Sequence, residues 1–253
     1  MDQKSGDADV VNSDALLVIG ASSSVGKELI RLLAPRESKI FAHFHHDRAE
    51  LERLQEEFGA RLVLVQADLA EEASVDALVE RVSSEALPRK IVFLAAPPLS
   101  LTRFKDLSWG DFQNHIDIQV KAAVRILGCF LPAMTTARYG RVVFMLSSYT
   151  LGVPPGALAH YVLGKYAVLG LMKALAAEYA GKNICVNAVS PSMITTDYLA
   201  NIPEKIVELT AQQHPRKKNA LPAEIAPVIA FLLSEGAGYL TGANIPVTGG
   251  SQF

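Results

Sequence analysis

Short apolar runs alternate along this chain with longer segments in which apolar residues recur every three or four positions. Ala15-Leu16-Leu17-Val18-Ile19 is the first run, and its lack of alternation predicts a parallel strand buried on both faces. Lys39 to Phe44, Leu62 to Val65, Ile91 to Leu94 and Val142 to Leu146 repeat that signal, Cys185 to Ser192 adds a strand and turn, and Tyr239 to Gly250 closes the series. The intervening segments read as helices. One follows Gly26 and carries Leu29, Ile30, Leu32 and Leu33; Ala49 to Phe58 is acid-rich and amphipathic. Trp109 to Pro132 holds one long helix with Phe112, Ile116, Val120, Val124 and Leu127 at core spacing. Two more run from Tyr161 to Tyr179 and from Glu224 to Leu233. Alternating strands and helices predict an α/β fold: a single Rossmann-type, doubly wound, mostly parallel sheet of seven strands with helices on both faces. Residues 1–13 are polar and read as a flexible tail, and 14–253 as a single domain without internal repeats.

Composition narrows the function classes. Half the 253 residues are hydrophobic, yet no uninterrupted apolar run approaches the roughly 18 residues of a membrane helix. A formal charge of −2 gives no electrostatic case for nucleic acid or anionic lipid. Cys129 and Cys185 both fall in apolar segments, so no disulfide framework is implied. The start of the chain lacks the apolar core of a signal peptide, which points to a cytoplasmic protein. His43, His45 and His46 lie close together, but no carboxylate or cysteine spacing supports a metal site, and none is expected.

Two stretches carry candidate chemistry. Gly20-Ala21-Ser22-Ser23-Ser24-Val25-Gly26 joins the first strand to the first helix, where backbone N–H groups and the helix dipole would face a phosphate. Further on, Tyr161 and Lys165 are four residues apart and share one face of a helix. A neighbouring ammonium favours the phenolate and brings tyrosine's proton transfer closer to neutral pH. Ser148, 13 residues before Tyr161, ends the Val142–Leu146 strand and could face that tyrosine.

With these three residues in order, the chain resembles the short-chain dehydrogenase/reductase family, closest in look to its 3-oxoacyl-carrier-protein reductase-like members. The resemblance runs from about Leu16 to the final Gly249-Gly250. It implies the strand order 3-2-1-4-5-6-7 and these roles: Tyr161 moves the proton, Lys165 lowers its pKa and holds nicotinamide ribose hydroxyls, and Ser148 orients the carbonyl. Gln119 would stand where the family has an asparagine that anchors a relay water. The dinucleotide would lie against Gly20, Ser22, Ser23, Ser24, Val25 and Gly26, meet Asp68-Leu69 at the adenine and Ala95 beyond the fourth strand, and be covered by Pro191, Ile194 and Thr196. His45, His46 and Arg48 favour NADP(H) over NAD(H), because they could meet a 2′-phosphate; Asp47 and Ser23 argue the other way. The chain departs from the family at Ser24, where a middle glycine is usual, and at Ser192. It departs again at Phe93 to Ala96, where the family carries Asn-Asn-Ala-Gly. Residues 198–220 fall where the family places a substrate lid. The implied activity is reduction of a ketone such as a 3-oxoacyl thioester by a homodimer or homotetramer. Two alternatives remain open at this point: a non-catalytic nucleotide- or partner-binding subunit, and an NAD-dependent alcohol dehydrogenase.

Overall fold

Every apolar run becomes a strand in the computed structural model, which describes residues 15–252; the expected tail, 1–13, lies outside them. The strands are β1 (Ala15–Ile19), β2 (Lys39–Phe44), β3 (Leu62–Gln66), β4 (Lys90–Phe93), β5 (Gly140–Met145), β6 (Ile184–Pro191) and β7 (Asn244–Val247). They form one seven-stranded sheet in the order β3-β2-β1-β4-β5-β6-β7. All six pairings are parallel. The order reverses between β1 and β4, and the crevice beyond the carboxyl ends of those strands is the place such sheets bind ligands.

Helices cover both faces, as a parallel sheet requires. One core joins β1, β4 and β5 side chains such as Leu17, Ile91 and Phe144 to α3 (Glu72–Ser83), α5 (Ala122–Ala137) and α6 (Ala159–Tyr179). The other packs Leu16, Val18 and Val92 against α1 (Ser24–Leu33), α2 (Ala49–Phe58) and α8 (Pro222–Leu233). A short helix α4 (Trp109–Ile116) precedes α5, and α7 (Glu204–Gln213) lies in the excursion between β6 and α8.

The long helix expected from Trp109 to Pro132 differs in two ways. It is interrupted by a five-residue π-turn, Asp117–Lys121, and α5 continues through Pro132 to Ala137. Pro132 removes one backbone bond without redirecting the helix. The π-turn adds a residue to the repeat and rotates Gln119 inward, where it is 5 % exposed. Together, Trp109–Ala137 is long and apolar enough by length and composition to cross a membrane. Here Ala123, Ile126, Leu127, Phe130 and Met134 bury its inner face on the sheet. Cys129, expected within an apolar segment, is exposed on this helix, while Cys185 is buried.

Close approach of α4 and α6 depends on Gly164. A Cβ there would lie 3.0 Å from both Gln119 Nε2 and His115 Cβ. The missing side chain lets the helix bearing Tyr161 and Lys165 sit directly against the turn bearing Gln119.

Candidate active site

The crevice at the strand ends is a cleft of about 310 Å³. Its walls bring together much of what the sequence marked out: Ser22, Ser23, Ser24 and Val25 on one side, Ser148, Tyr161 and Lys165 at the centre, and Pro191, Ile194 and Thr196 on the other. Gly20, Gly26 and Ala95 shape the turn beneath these walls. Gly20 has φ +84°, and a Cβ on it would come within 2.7 Å of Ala95 N. One on Gly26 would meet Ala21 O at 2.6 Å. Both glycines are therefore fixed by space, the first also by conformation. Ser24 needs no such freedom, because it is the first residue of α1. Ser23 caps that helix: its Oγ accepts from Gly26 N at 3.1 Å and donates to Gly20 O at 2.8 Å.

At the centre, β5 ends and the chain turns at Ser147, whose backbone is still extended, into a single 3₁₀ turn, Ser148–Thr150. Both serines are buried and both line the cleft. Ser147 lies near enough to pull the Tyr161 pKa down, and Ser148 stands beside it on the same wall of the cleft.

Burial governs the acid–base properties here. Tyr161 is 7 % exposed, and desolvation pushes its phenol up to about 12, against a downward pull from the Ser147 hydrogen bond. The ammonium expected to lower it is itself suppressed: Lys165, 3 % exposed, is brought down to about 7 by desolvation. Among the described residues its Nζ donates to Met145 O at 2.9 Å and sits 5.7 Å from the centre of the Tyr161 ring. Tyr161 is thus held as the protonated acid, and Lys165 is an amine near its titration midpoint at neutral pH. Such an amine, facing a cleft that also offers a capped helix N-terminus, fits the ribose hydroxyls and phosphates of a dinucleotide.

Gln119 lies outside the cleft walls. Its Nε2 meets His115 Nδ1 at 3.0 Å. His115 is buried, lowered to about 4 by desolvation and by the charges of His160 and Lys165, and packs edge-on 6.0 Å from the Tyr161 ring. The Asn-Asn-Ala-Gly departure has a packing counterpart, since Phe93 stacks on Phe144 with ring centres 4.9 Å apart.

At the ribose end the side chains are largely engaged with one another. Arg48 Nε is 3.0 Å from Glu52, His45 Nε2 is 3.5 Å from Asp68, and the His45 and His46 rings lie 3.5 Å apart. Asp47 lines the cleft. Asp68 accepts from Ala70 N at 2.9 Å, and the N-cap of α3 is Glu71. Leu69 is buried in the sheet core.

The sequence reading missed an apolar enclosure above Tyr161. Leu99, Leu158 and Ile202 cluster with it, flanked by Tyr149, Tyr198 and Leu199. Tyr198 donates to Pro97 O at 2.9 Å, tying the segment after β6 to the loop after β4, and burial raises its phenol. The aromatic residues beside the serines and after Thr196 were the available signal.

A family model described as Enoyl-(Acyl carrier protein) reductase matches residues 20–252. The chain belongs to the short-chain dehydrogenase/reductase family and is an NAD(P)-dependent oxidoreductase. It is 34 % identical over 250 residues to the Oxidoreductase UcpA of Salmonella typhimurium, covering 94 % of each chain. To the 3-oxoacyl-[acyl-carrier-protein] reductase FabG of Rickettsia typhi it is 30 % identical over 234 residues, covering 92 % of this chain and 95 % of the other. Among solved structures, a 3-oxoacyl (acyl-carrier-protein) reductase of Agrobacterium tumefaciens with NADP bound superposes with TM-score 0.84 at 26 % identity over 93 % of each chain.

The depressed Lys165 makes stability depend on pH. Between about 7 and its ordinary 10.5 the unfolded chain binds more protons at this lysine than the folded one, so this group's share of stability rises with pH across that window. Lys165→Met, which keeps the bulk and removes the charge, is expected to stabilise the protein below pH 7 by roughly 2–4 kcal/mol and to flatten the rise. Urea unfolding at a series of pH values measures both effects.

Proposed function

We propose that the protein is a carbonyl reductase that uses NADP(H) in preference to NAD(H) and takes a ketone with an apolar arm, such as a 3-oxoacyl thioester. The observation that carries this reading is the Tyr161 hydroxyl, kept protonated by burial, set in a cleft with the Ser147 and Ser148 hydroxyls and roofed by apolar side chains. A reduced nicotinamide, when bound, supplies the hydride. The chain's own residues supply the rest. Tyr161 donates to the substrate oxygen, and Ser148, on the same wall of the cleft, holds it, with Ser147 as a neighbouring hydroxyl. As negative charge grows on that oxygen, Tyr161 delivers its proton. Lys165, fully charged once it gains further partners, then stabilises the phenolate left behind. The apolar enclosure excludes water and accepts the substrate's arm, and residues 198–220 serve as its lid, tethered through Tyr198. The relatives named for 3-oxoacyl reduction support the substrate class. The family description names enoyl reduction, but a phenol acid sharing the cleft with two serine hydroxyls favours a carbonyl.

Half-exposed Val124, Leu163 and Tyr166 on α5 and α6 support a homo-oligomer built on those helices.

Tyr161→Phe is expected to reduce turnover of a 3-oxoacyl thioester by about 10²–10⁴-fold while leaving dinucleotide binding intact. Ser148→Ala should cost about 10²-fold and Ser147→Ala less than about tenfold. Steady-state rates of the three variants decide the assignment: near-normal turnover by Tyr161→Phe rejects it as donor, and the reverse order of the serines moves the holding role to Ser147.

For the cofactor, Arg48 can leave Glu52 for a 2′-phosphate, while Asp47, which lines the cleft, repels one. The NADP-bound relative supports the phosphorylated form. Asp47→Ser is expected to tighten NADPH about tenfold relative to NADH, and Arg48→Ala to weaken NADPH by a similar factor. Fluorescence titrations with both dinucleotides check this; equal changes for the two would show that neither residue reads the phosphate.

A further inference from the structure

His43 lies outside the cleft lining, and the chemistry above does not use it. It is 2 % exposed on β2, in register with Val65 of β3. Its ring spans two elements. Nδ1 is 3.0 Å from Gly20 N, and Nε2 is 3.1 Å from Ala67 O. Gly20 N–H can only donate, so Nδ1 accepts, and the ring hydrogen must sit on Nε2, where it donates to the Ala67 carbonyl. One tautomer satisfies both ends, and a doubly protonated ring would satisfy only one. Desolvation lowers the ring to about 4, which keeps that tautomer in place.

The two ends matter because of what they hold. Gly20 opens the turn whose carbonyl receives Ser23 Oγ at 2.8 Å and Ser23 N at 3.2 Å, the contacts that set the capped start of α1. Its φ of +84° and the crowding of Ala95 N leave its peptide little other freedom. Ala67 directly precedes Asp68, whose backbone N–H donates to Ser74 Oγ at 2.8 Å and so fixes the approach to α3. Backbone bonds from Ala21 N to His43 O, 2.8 Å, and from Ala67 N to Phe44 O, 3.0 Å, run beside the ring on either side.

We propose that His43 is a positioning residue for the dinucleotide, a strut that sets the phosphate-facing turn at Gly20 against the adenine-side segment at Ala67-Asp68. This rests on the reading of the cleft as a dinucleotide site. A side chain that only filled space at this position would leave the Gly20 N–H and Ala67 C=O unpaired inside the protein, and the turn would relax to pair them.

The test is a fluorescence titration of wild type, His43→Leu and His43→Asn with NADPH and NADH, alongside steady-state kinetics. His43→Leu is expected to raise the Kd of both dinucleotides about tenfold or more while kcat at saturating cofactor and the KM of the carbonyl substrate change less than about twofold. His43→Asn, whose amide oxygen can accept from Gly20 N–H, should recover part of that loss. A wild-type Kd in His43→Leu would overturn the strut, as would loss of kcat and affinity together. Binding of neither dinucleotide by the wild type would instead sink the reading of the cleft. Nitrogen NMR of the wild-type histidines makes the inference independent of whether the variants fold: an unprotonated Nδ1 on His43 supports it, and a protonated Nδ1 overturns it.

Discussion

Two groups that prefer water, the Tyr161 hydroxyl and the Lys165 amine, are buried side by side at the end of a parallel sheet, and much of the structure is arranged to tolerate this. Removing a charge from water costs several kcal/mol unless partners replace the lost solvation. Lys165 has the Met145 carbonyl, and its pKa has fallen to about 7 as a result. Burial raises Tyr161 as well, and it remains an acid up to about 12. A reductase needs a proton donor and a latent cation at one point, and burial supplies both states. The fold's part is positional: β5 ends where the serines are needed, α6 presents Tyr161 and Lys165 one turn apart, and Gly164 lets α6 approach the π-turn.

Much of this was legible in the sequence because it depends on periodicity and spacing. Four of the seven strands, β1, β3, β4 and β5, follow from unbroken apolar runs, and i,i+4 spacing alone places Tyr161 and Lys165 on one helix face. What was not legible depends on a single residue's direction. That a second hydroxyl, Ser147, shares the cleft wall with Ser148 rests on where β5 gives way to a 3₁₀ turn, and adjacent serines carry no pattern that reveals it. The π-turn at 117–121 hides for the same reason, since one extra residue in a helical repeat blurs the pattern rather than breaking it. Burial also bears on the Tyr161 shift. A nearby lysine suggests a lowered pKa, but only if the lysine stays charged, and burial acts on both groups at once.

The ribose end shows the same limit. His45, His46 and Arg48 form a basic run in sequence, yet their side chains meet Asp68, each other and Glu52. Asp47 is the member of that run that lines the cleft. His43, the first of the clustered histidines, lies within buried β2 and becomes part of the framework rather than a ligand, whereas His45 and His46 follow the strand's end at Phe44. A cluster in sequence is thus divided by the end of the strand into an inner strut and an outer charged rim.

The central claim is that Lys165 is desolvated and partly neutral until a dinucleotide surrounds it, and only then becomes the cation that supports Tyr161. Calorimetric titration of NADPH at about pH 7.5, in two buffers of different ionisation enthalpy, counts the protons exchanged on binding. The account predicts net proton uptake by the wild-type protein and its loss in Lys165→Met. Tight binding by the wild type with no proton uptake would mean that Lys165 is already charged in the free protein, and would contradict the account.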